Sequence, residues 1–202
     1  MSVQLLALRH GVTEWNLSHR LQGRRDEPLS EAARADLAAK CLPTRFSTWP
    51  WLSSPLARCT ETAALLGARA VTSVPWLIEM DWGQWEGSSL PTQRRLDPEG
   101  MRRNEGAGLD FRAPGGESPR EVRSRLAGSL NELAVGGESH IAVSHKGVLR
   151  ALLSLAIDWD MKDKAPVKLD WTRAHLFEIT AGGVRLAEPN IELVAREVQD
   201  GE

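Results

Sequence analysis

The sequence predicts an α/β fold, a three-layer sandwich built on a mostly parallel, doubly wound sheet. Three observations predict it. The runs Val3 to Leu8 and Ile141 to Val143 are apolar enough for central strands covered on both faces. Amphipathic helical stretches separate the strand-like runs, and strands alternating with helices pack as layers around a parallel sheet. Finally, each of the two apolar runs ends at a histidine followed closely by a glycine, and ligands in such folds bind beyond the carboxyl ends of the strands.

In chain order, Val3 to Leu8 is the first central strand. The stretch PLSEAARADLAAKCL reads as a helix opened by Ser30, with Ala33, Leu37 and Cys41 or Leu42 on its inward side. A short strand near Trp51 and Leu52, a Ser-Ser-Pro turn and a helix ending at Gly67 follow. Arg58 falls in the first turn of that helix, where its charge opposes the helix dipole; an anionic ligand would reconcile the two. Residues 88–116, with paired arginines at Arg94-Arg95 and Arg102-Arg103, read as an insertion that caps the carboxyl edge. The clearest helix signal is ESPREVRSRLAGSLNELAVGG. Ser118 caps it, Pro119 takes the first helical position, Glu121 completes a capping box, and Val122, Leu126, Leu130 and Leu133 point inward. A hairpin around Gly182-Gly183 and a frayed terminus complete the chain, and nothing in residues 1–202 resembles an interdomain linker.

Composition narrows the function. A 202-residue chain with 42% hydrophobic residues can bury a sizeable core. The formal charge of -2 argues against general nucleic-acid binding and for a small-molecule partner. No apolar run approaches the roughly 18 residues of a membrane span, and the Met1-Ser2-Val3 start lacks a basic leader, so the expected location is cytoplasmic. Cys41 and Cys59 form no CxxC pair and read as packing residues.

Arg9, His10, Arg58 and His145 are the residues that suggest chemistry. Arginine presents a planar fork of donors suited to phosphate or carboxylate oxygens and keeps its charge at working pH. A histidine beside such arginines can serve as a nucleophile, an acid-base group or a donor. The arginines repel cations and no HxxxH or HExxH spacing occurs, which disfavours a metal site. No GxSxG elbow supports a serine hydrolase. Phosphoryl chemistry fits the charges best.

The segments LRHGVTEWN, SSPLARCTETA, IEMDWGQWEG, PGGES and VSHKGVLRALL also resemble, in order and approximate spacing, the histidine phosphatase superfamily, in its phosphoglycerate mutase-like branch. The resemblance covers Val3 to about Leu153. It implies the phosphoglycerate mutase-like version of the sandwich and makes His10 the nucleophile that becomes phosphorylated. It implies that Arg9, Arg58, His145 and Asn16 bind the phosphoryl oxygens, that Glu79 is the proton donor, and that Gln22 and Gly23 sit in a loop approaching the substrate. It implies no cofactor and no metal. Three departures stand out: Lys146 where the family commonly has glycine, Ala33 for a glycine in the early helix, and Cys59 and Glu61 after the arginine of SSPLAR. Asp81 and Glu86 compete with Glu79 for the acid role, while Trp76, Trp82 and Trp85 desolvate the segment.

The expected activity is metal-independent hydrolysis of a small phosphomonoester through a phosphohistidine. A cofactor-dependent phosphoglycerate mutase and a non-catalytic phosphate-binding module are the alternatives. His19, His140 and His175 carry no expected role, and the paired arginines read as solvated faces.

Overall fold

The computed structural model describes residues 2–196; the terminus expected to be frayed, residues 197–202, lies outside it. Strands β1 (Ser2–Arg9), β2 (Lys40–Cys41), β3 (Trp51–Ser53), β4 (Val71–Ser73), β5 (His140–Ser144), β6 (Ala174–Thr180), β7 (Gly183–Ile191) and β8 (Val194–Ala195) are interspersed with helices α1 (Glu14–Leu17), α2 (Glu31–Ala38), α3 (Ala57–Leu65), α4 (Leu90–Leu96), α5 (Pro98–Glu105), α6 (Pro119–Gly136) and α7 (Lys146–Ala156).

Six strands form one sheet in the order β4-β3-β5-β1-β6-β7. The β4-β3-β5-β1 part is parallel, and β6 and β7 add an antiparallel edge through the expected hairpin. Alternation along β1 divides the core in two. Val3, Leu5 and Ala7 face Val122, Leu126 and Leu130 of α6 and Val148 and Leu152 of α7. Leu6 and Leu8 face Leu37 of α2 and Cys59 and Ala63 of α3. Each buried leucine in these layers contributes about 1.5–3 kcal/mol, which is why the unbroken apolar run Leu5 to Leu8 of β1 is stable only with both faces covered.

Local signals explain several boundaries. Ser118 and Glu121 form the reciprocal capping box of α6, and Gly137 in the left-handed conformation ends it. Ser30 caps α2 through the Ala33 backbone, but this helix stops at Ala38, earlier than expected. Lys40 and Cys41 instead pair with Ala195 and Val194, so Cys41 lies on a two-residue strand and not on the helix face. Contacts from the far end of the chain decide that pairing, and no local pattern announces it. Residues 88–116 contain two helices, each with a side-chain cap, from Ser89 and from Asp97.

Candidate active site

Parallel neighbours bring the key residues together. In the β1/β5 register Arg9 is opposite Ser144, so the next residues, His10 and His145, leave the same edge side by side, with ring centroids 5.1 Å apart. The His10 backbone N–H donates to the Ser144 carbonyl at 2.9 Å, and Ser54, the residue after the adjacent β3, donates its N–H to the Val143 carbonyl at 3.0 Å. Gly11 packs closely against α2: a Cβ at this position would lie 2.6 Å from Leu37 Cδ1, so a larger residue would displace that side chain. Its N–H donates to Thr62 Oγ1 at 2.9 Å, which ties the loop to α3.

His10 Nδ1 and the Gly11 carbonyl are 2.6 Å apart. Because the carbonyl only accepts, Nδ1 carries the proton and the lone pair of Nε2 is left unprotonated. Desolvation, then the charges of Arg9 and Arg58, hold the imidazole pKa well below its ordinary value. His10 is therefore a neutral, oriented base at working pH.

Arg58 is fully buried at the second position of α3. Its Nη1 donates to the Arg25 carbonyl at 2.6 Å, its Nη2 to the Gly23 carbonyl at 2.8 Å, and its Nε to His145 Nδ1 at 3.3 Å. Of five guanidinium N–H groups, one on each terminal nitrogen stays available. Asp26 caps the same helix from outside, accepting from the Ala57 N–H at 2.8 Å. Arg9 differs: its Nε is buried without a partner, and among the described residues its guanidinium makes no ion pair or hydrogen bond. An unpartnered arginine against the cleft is a ready site for an oxyanion.

His145 is buried beneath the cleft. Because Nδ1 accepts from Arg58, the proton sits on Nε2 and points at Ser54 Oγ, 2.7 Å away. Desolvation and neighbouring His10 and Arg58 keep the ring neutral. In this arrangement it orients Arg58, and both its nitrogens are engaged with the protein. Cys59 Sγ packs 3.4 Å from Nε2, and burial raises the thiol pKa far above its ordinary value.

Glu79 lies on the opposite wall, buried, with Oε1 accepting from the Met80 N–H at 2.8 Å and Oε2 from the Gly147 N–H at 3.4 Å. Desolvation raises its carboxyl pKa against the opposing pull of those amides, Arg58 and Arg9. Burial thus outweighs these opposing contacts. Gly147 explains the spacing of the SHKG segment, since a Cβ there would collide with Glu79 Oε1. Asp81 and Glu86 have other work: Asp81 Oδ1 accepts from the Gly83 N–H at 2.7 Å, and Glu86 Oε1 from the Arg24 N–H at 2.7 Å, beneath the Gly23 loop.

Asn16 lines the cleft, its Oδ1 accepting from the Thr13 N–H at 3.1 Å in a capping box, which leaves its amide NH2 as the available donor. Gln22 is buried with Oε1 unpartnered, and Gly23 has a positive φ of 56° beside the Glu86 carboxylate, both at the cleft wall.

Several supporting residues went unmarked in the sequence. Arg125 donates to the Trp76 and Ile78 carbonyls, each at 2.5 Å, and its Nε to Glu117 Oε1 at 2.9 Å, pinning the segment that leads into Glu79. Glu117 belongs to the PGGES segment, and Arg125 lies three residues after inward-facing Val122; those were the available signals. Ser54 and Thr62 gave none beyond proximity to the Ser-Ser-Pro turn and Arg58.

The cleft has a volume of about 690 Å³ and is walled further out by Trp82, Leu90, Pro91, Phe111 and Met161. Residues 88–116 supply part of this wall. Of the paired arginines, Arg94 reaches it, held by Glu105 at 2.6 Å, while Arg95, Arg102 and Arg103 lie outside it. His19, given no role from sequence, also lines the wall.

The family model of the histidine phosphatase superfamily (branch 1) matches residues 5–192. The chain belongs to this superfamily. It is 33% identical over 188 residues to the bifunctional protein Rv2228c of Mycobacterium tuberculosis, covering 89% of this chain and 51% of that protein. The chain thus spans about half the length of the first curated relatives it matches. It is 34% identical over 163 residues to the probable phosphoglycerate mutase GpmB of Cronobacter sakazakii, covering 75% of this chain and 74% of the relative. The solved structure of Bacillus stearothermophilus YhfR superposes with a TM-score of 0.79 at 27% identity, over 92% of this chain and 96% of that one. Among the described residues no helix is long and apolar enough to cross a membrane.

Proposed function

We propose that the chain hydrolyses a small phosphomonoester through a phosphohistidine at His10. The observation that carries this reading is the 2.6 Å contact between His10 Nδ1 and the Gly11 carbonyl, which leaves Nε2 unprotonated beside two arginines. In the first step Nε2 attacks phosphorus, the ester P–O bond breaks, and protonated Glu79 gives its proton to the departing alkoxide. In the second step Glu79, now a carboxylate, takes a proton from water as that water attacks phosphorus. The P–N bond breaks and the His10 lone pair is restored.

Charge on the three equatorial oxygens is met by Arg9, the two remaining N–H groups of Arg58 and the Asn16 amide. His145 supports Arg58 from below, and ligand binding that frees its Nε2 proton from Ser54 would add a direct donor. Arginine charge does here what a metal does in other phosphoryl-transfer sites. Segment 88–116 caps the cleft in this reading. Two unpaired thiols, Cys41 and Cys59, suit a reducing, cytoplasmic setting.

The relationship to GpmB keeps the mutase as a second reading, in which the phosphoenzyme returns its group to the reoriented product before water enters. Phosphate release in excess EDTA from a panel of phosphomonoesters including 3-phosphoglycerate, with His10→Ala as control, separates the readings. Turnover by the native chain and its loss in the folded variant support the hydrolase. Interconversion of phosphoglycerates without release supports the mutase, and neither reaction supports a binding module.

A further inference from the structure

Beyond the phosphoryl pocket, the cleft carries charge that the reaction does not use. Its lining cations are Arg9, Arg20, Arg58, Arg94, Lys146 and Arg150, and its lining carboxylates are Glu79 and Glu105. Arg9 and Arg58 belong to the phosphoryl site, Arg94 is paired with Glu105, and Arg20 stacks on Trp15 at the exposed rim. That leaves Lys146 and Arg150, one turn apart on α7 and so about 6 Å along its axis.

These two side chains are held in place but not neutralised. Lys146 Nζ lies 5.3 Å from the Trp171 ring and the Arg150 guanidinium 4.9 Å from the Trp159 ring. Among the described residues neither has a carboxylate or hydrogen-bond partner. Stacking on an aromatic face fixes the position of a cation while leaving its N–H donors open. Desolvation, then repulsion from Arg9 and Arg150, disfavours the charged form of Lys146, and desolvation does the same for Arg150. Both would gain from a bound anion. Lys146 is also the residue found where the family pattern commonly has glycine, so the feature belongs to this chain's own sequence.

We infer that Lys146 and Arg150 form a second anion subsite, and that the substrate is a phosphomonoester carrying a further acidic group, a carboxylate or a second phosphate, on the side facing α7. The body of the substrate then lies between this pair and the Trp82 and Phe111 wall. The inference rests on the phosphatase reading for the reaction, but the subsite itself is a matter of binding.

The test compares pairs that differ by one acidic group: 4-carboxyphenyl against its isostere 4-carbamoylphenyl phosphate, and 1,3-propanediol bisphosphate against 3-hydroxypropyl phosphate. The first pair reads a carboxylate and the second a phosphate. The native chain is expected to prefer the acidic member of at least one pair on the order of tenfold in kcat/KM, as one charge-assisted contact provides. Lys146→Met with Arg150→Met brings that ratio close to one, whereas Arg95→Met, outside the cleft, leaves it unchanged. Equal handling of acidic and neutral members, or a preference that survives the double substitution, overturns the subsite. Should no ester be hydrolysed, the phosphatase reading fails by itself, and calorimetric affinities of the same pairs for the native chain decide the subsite by the same ratio.

Discussion

Replacing Gly147 by alanine tests the proposed role of Glu79 as proton donor separately from the rest of the site. The added Cβ collides with Glu79 Oε1 and lies 3.3 Å from Glu79 Cδ and Met80 Cβ. To reach an ordinary C···O separation of about 3.3 Å, the carboxylate must withdraw by roughly 1 Å. The obstacle is the far end of a side chain, so the chain should fold while Glu79 moves. A misplacement of about 1 Å in catalytic geometry costs on the order of 10²-fold, or about 2.7 kcal/mol of transition-state stabilisation. The loss should depend on the leaving group. An alkyl phosphate, whose alkoxide needs the proton, is expected to lose about 10²-fold in kcat/KM, which reports phosphoenzyme formation and not the later water step that Glu79 also serves, whereas 4-nitrophenyl phosphate, whose phenolate leaves unaided, loses less than about fivefold in the same quantity. Steady-state kinetics on both esters, with a melting curve to confirm folding, provide the assay. Equal losses on the two esters, or none on either, would refute the assignment of Glu79 as the proton donor.

Two further outcomes follow from the same contacts. Arg125→Met strips the Trp76 and Ile78 carbonyls of their donors and leaves Glu117 without its closest cation, so stability should fall by about 3 kcal/mol and Tm by about 6–12 °C, read by thermal denaturation. A Tm within about 2 °C of the native value would contradict that role. Buried His175, whose Nδ1 accepts from the Asn190 N–H at 3.1 Å, is held by desolvation at a pKa of about 4, and His10 and His145 are depressed likewise. Since these folded-state values lie below the unfolded one, the unfolded chain takes up more protons as pH falls. Stability present above about pH 6.5 is therefore lost progressively toward pH 4. His175→Asn, which keeps an acceptor for Asn190, should flatten the fall of Tm between those pH values, and an unchanged slope would contradict the burial argument.

Much of this architecture is legible in the sequence because its signals are local. The apolar run before Arg9-His10-Gly11 declares a strand buried on both faces, and Ser118 with Glu121 declares a helix start; the β1/β5 pairing then brings His10 and His145 together. The short helix α2 and the Lys40-Cys41 pairing escape such reading because β8 decides them from about 150 residues away. The support of Glu79 by Arg125 and Glu117 escapes for a related reason. An arginine on a helix otherwise reads as a solvated charge, and only the fold shows two backbone carbonyls in its reach. The seating of Lys146 and Arg150 on Trp171 and Trp159 joins α7 to the segment that follows it, which no periodicity encodes.

The central claim is covalent chemistry at His10, and the most direct measurement is to find the phosphoryl group there. Brief reaction with a phosphomonoester, an alkaline quench that preserves acid-labile phosphohistidine, and peptide mapping by mass spectrometry should place a single phosphate on the Arg9-His10-Gly11 peptide, with none in His10→Ala. Steady turnover with no phosphate on this peptide, or with phosphate on another residue, would contradict the account.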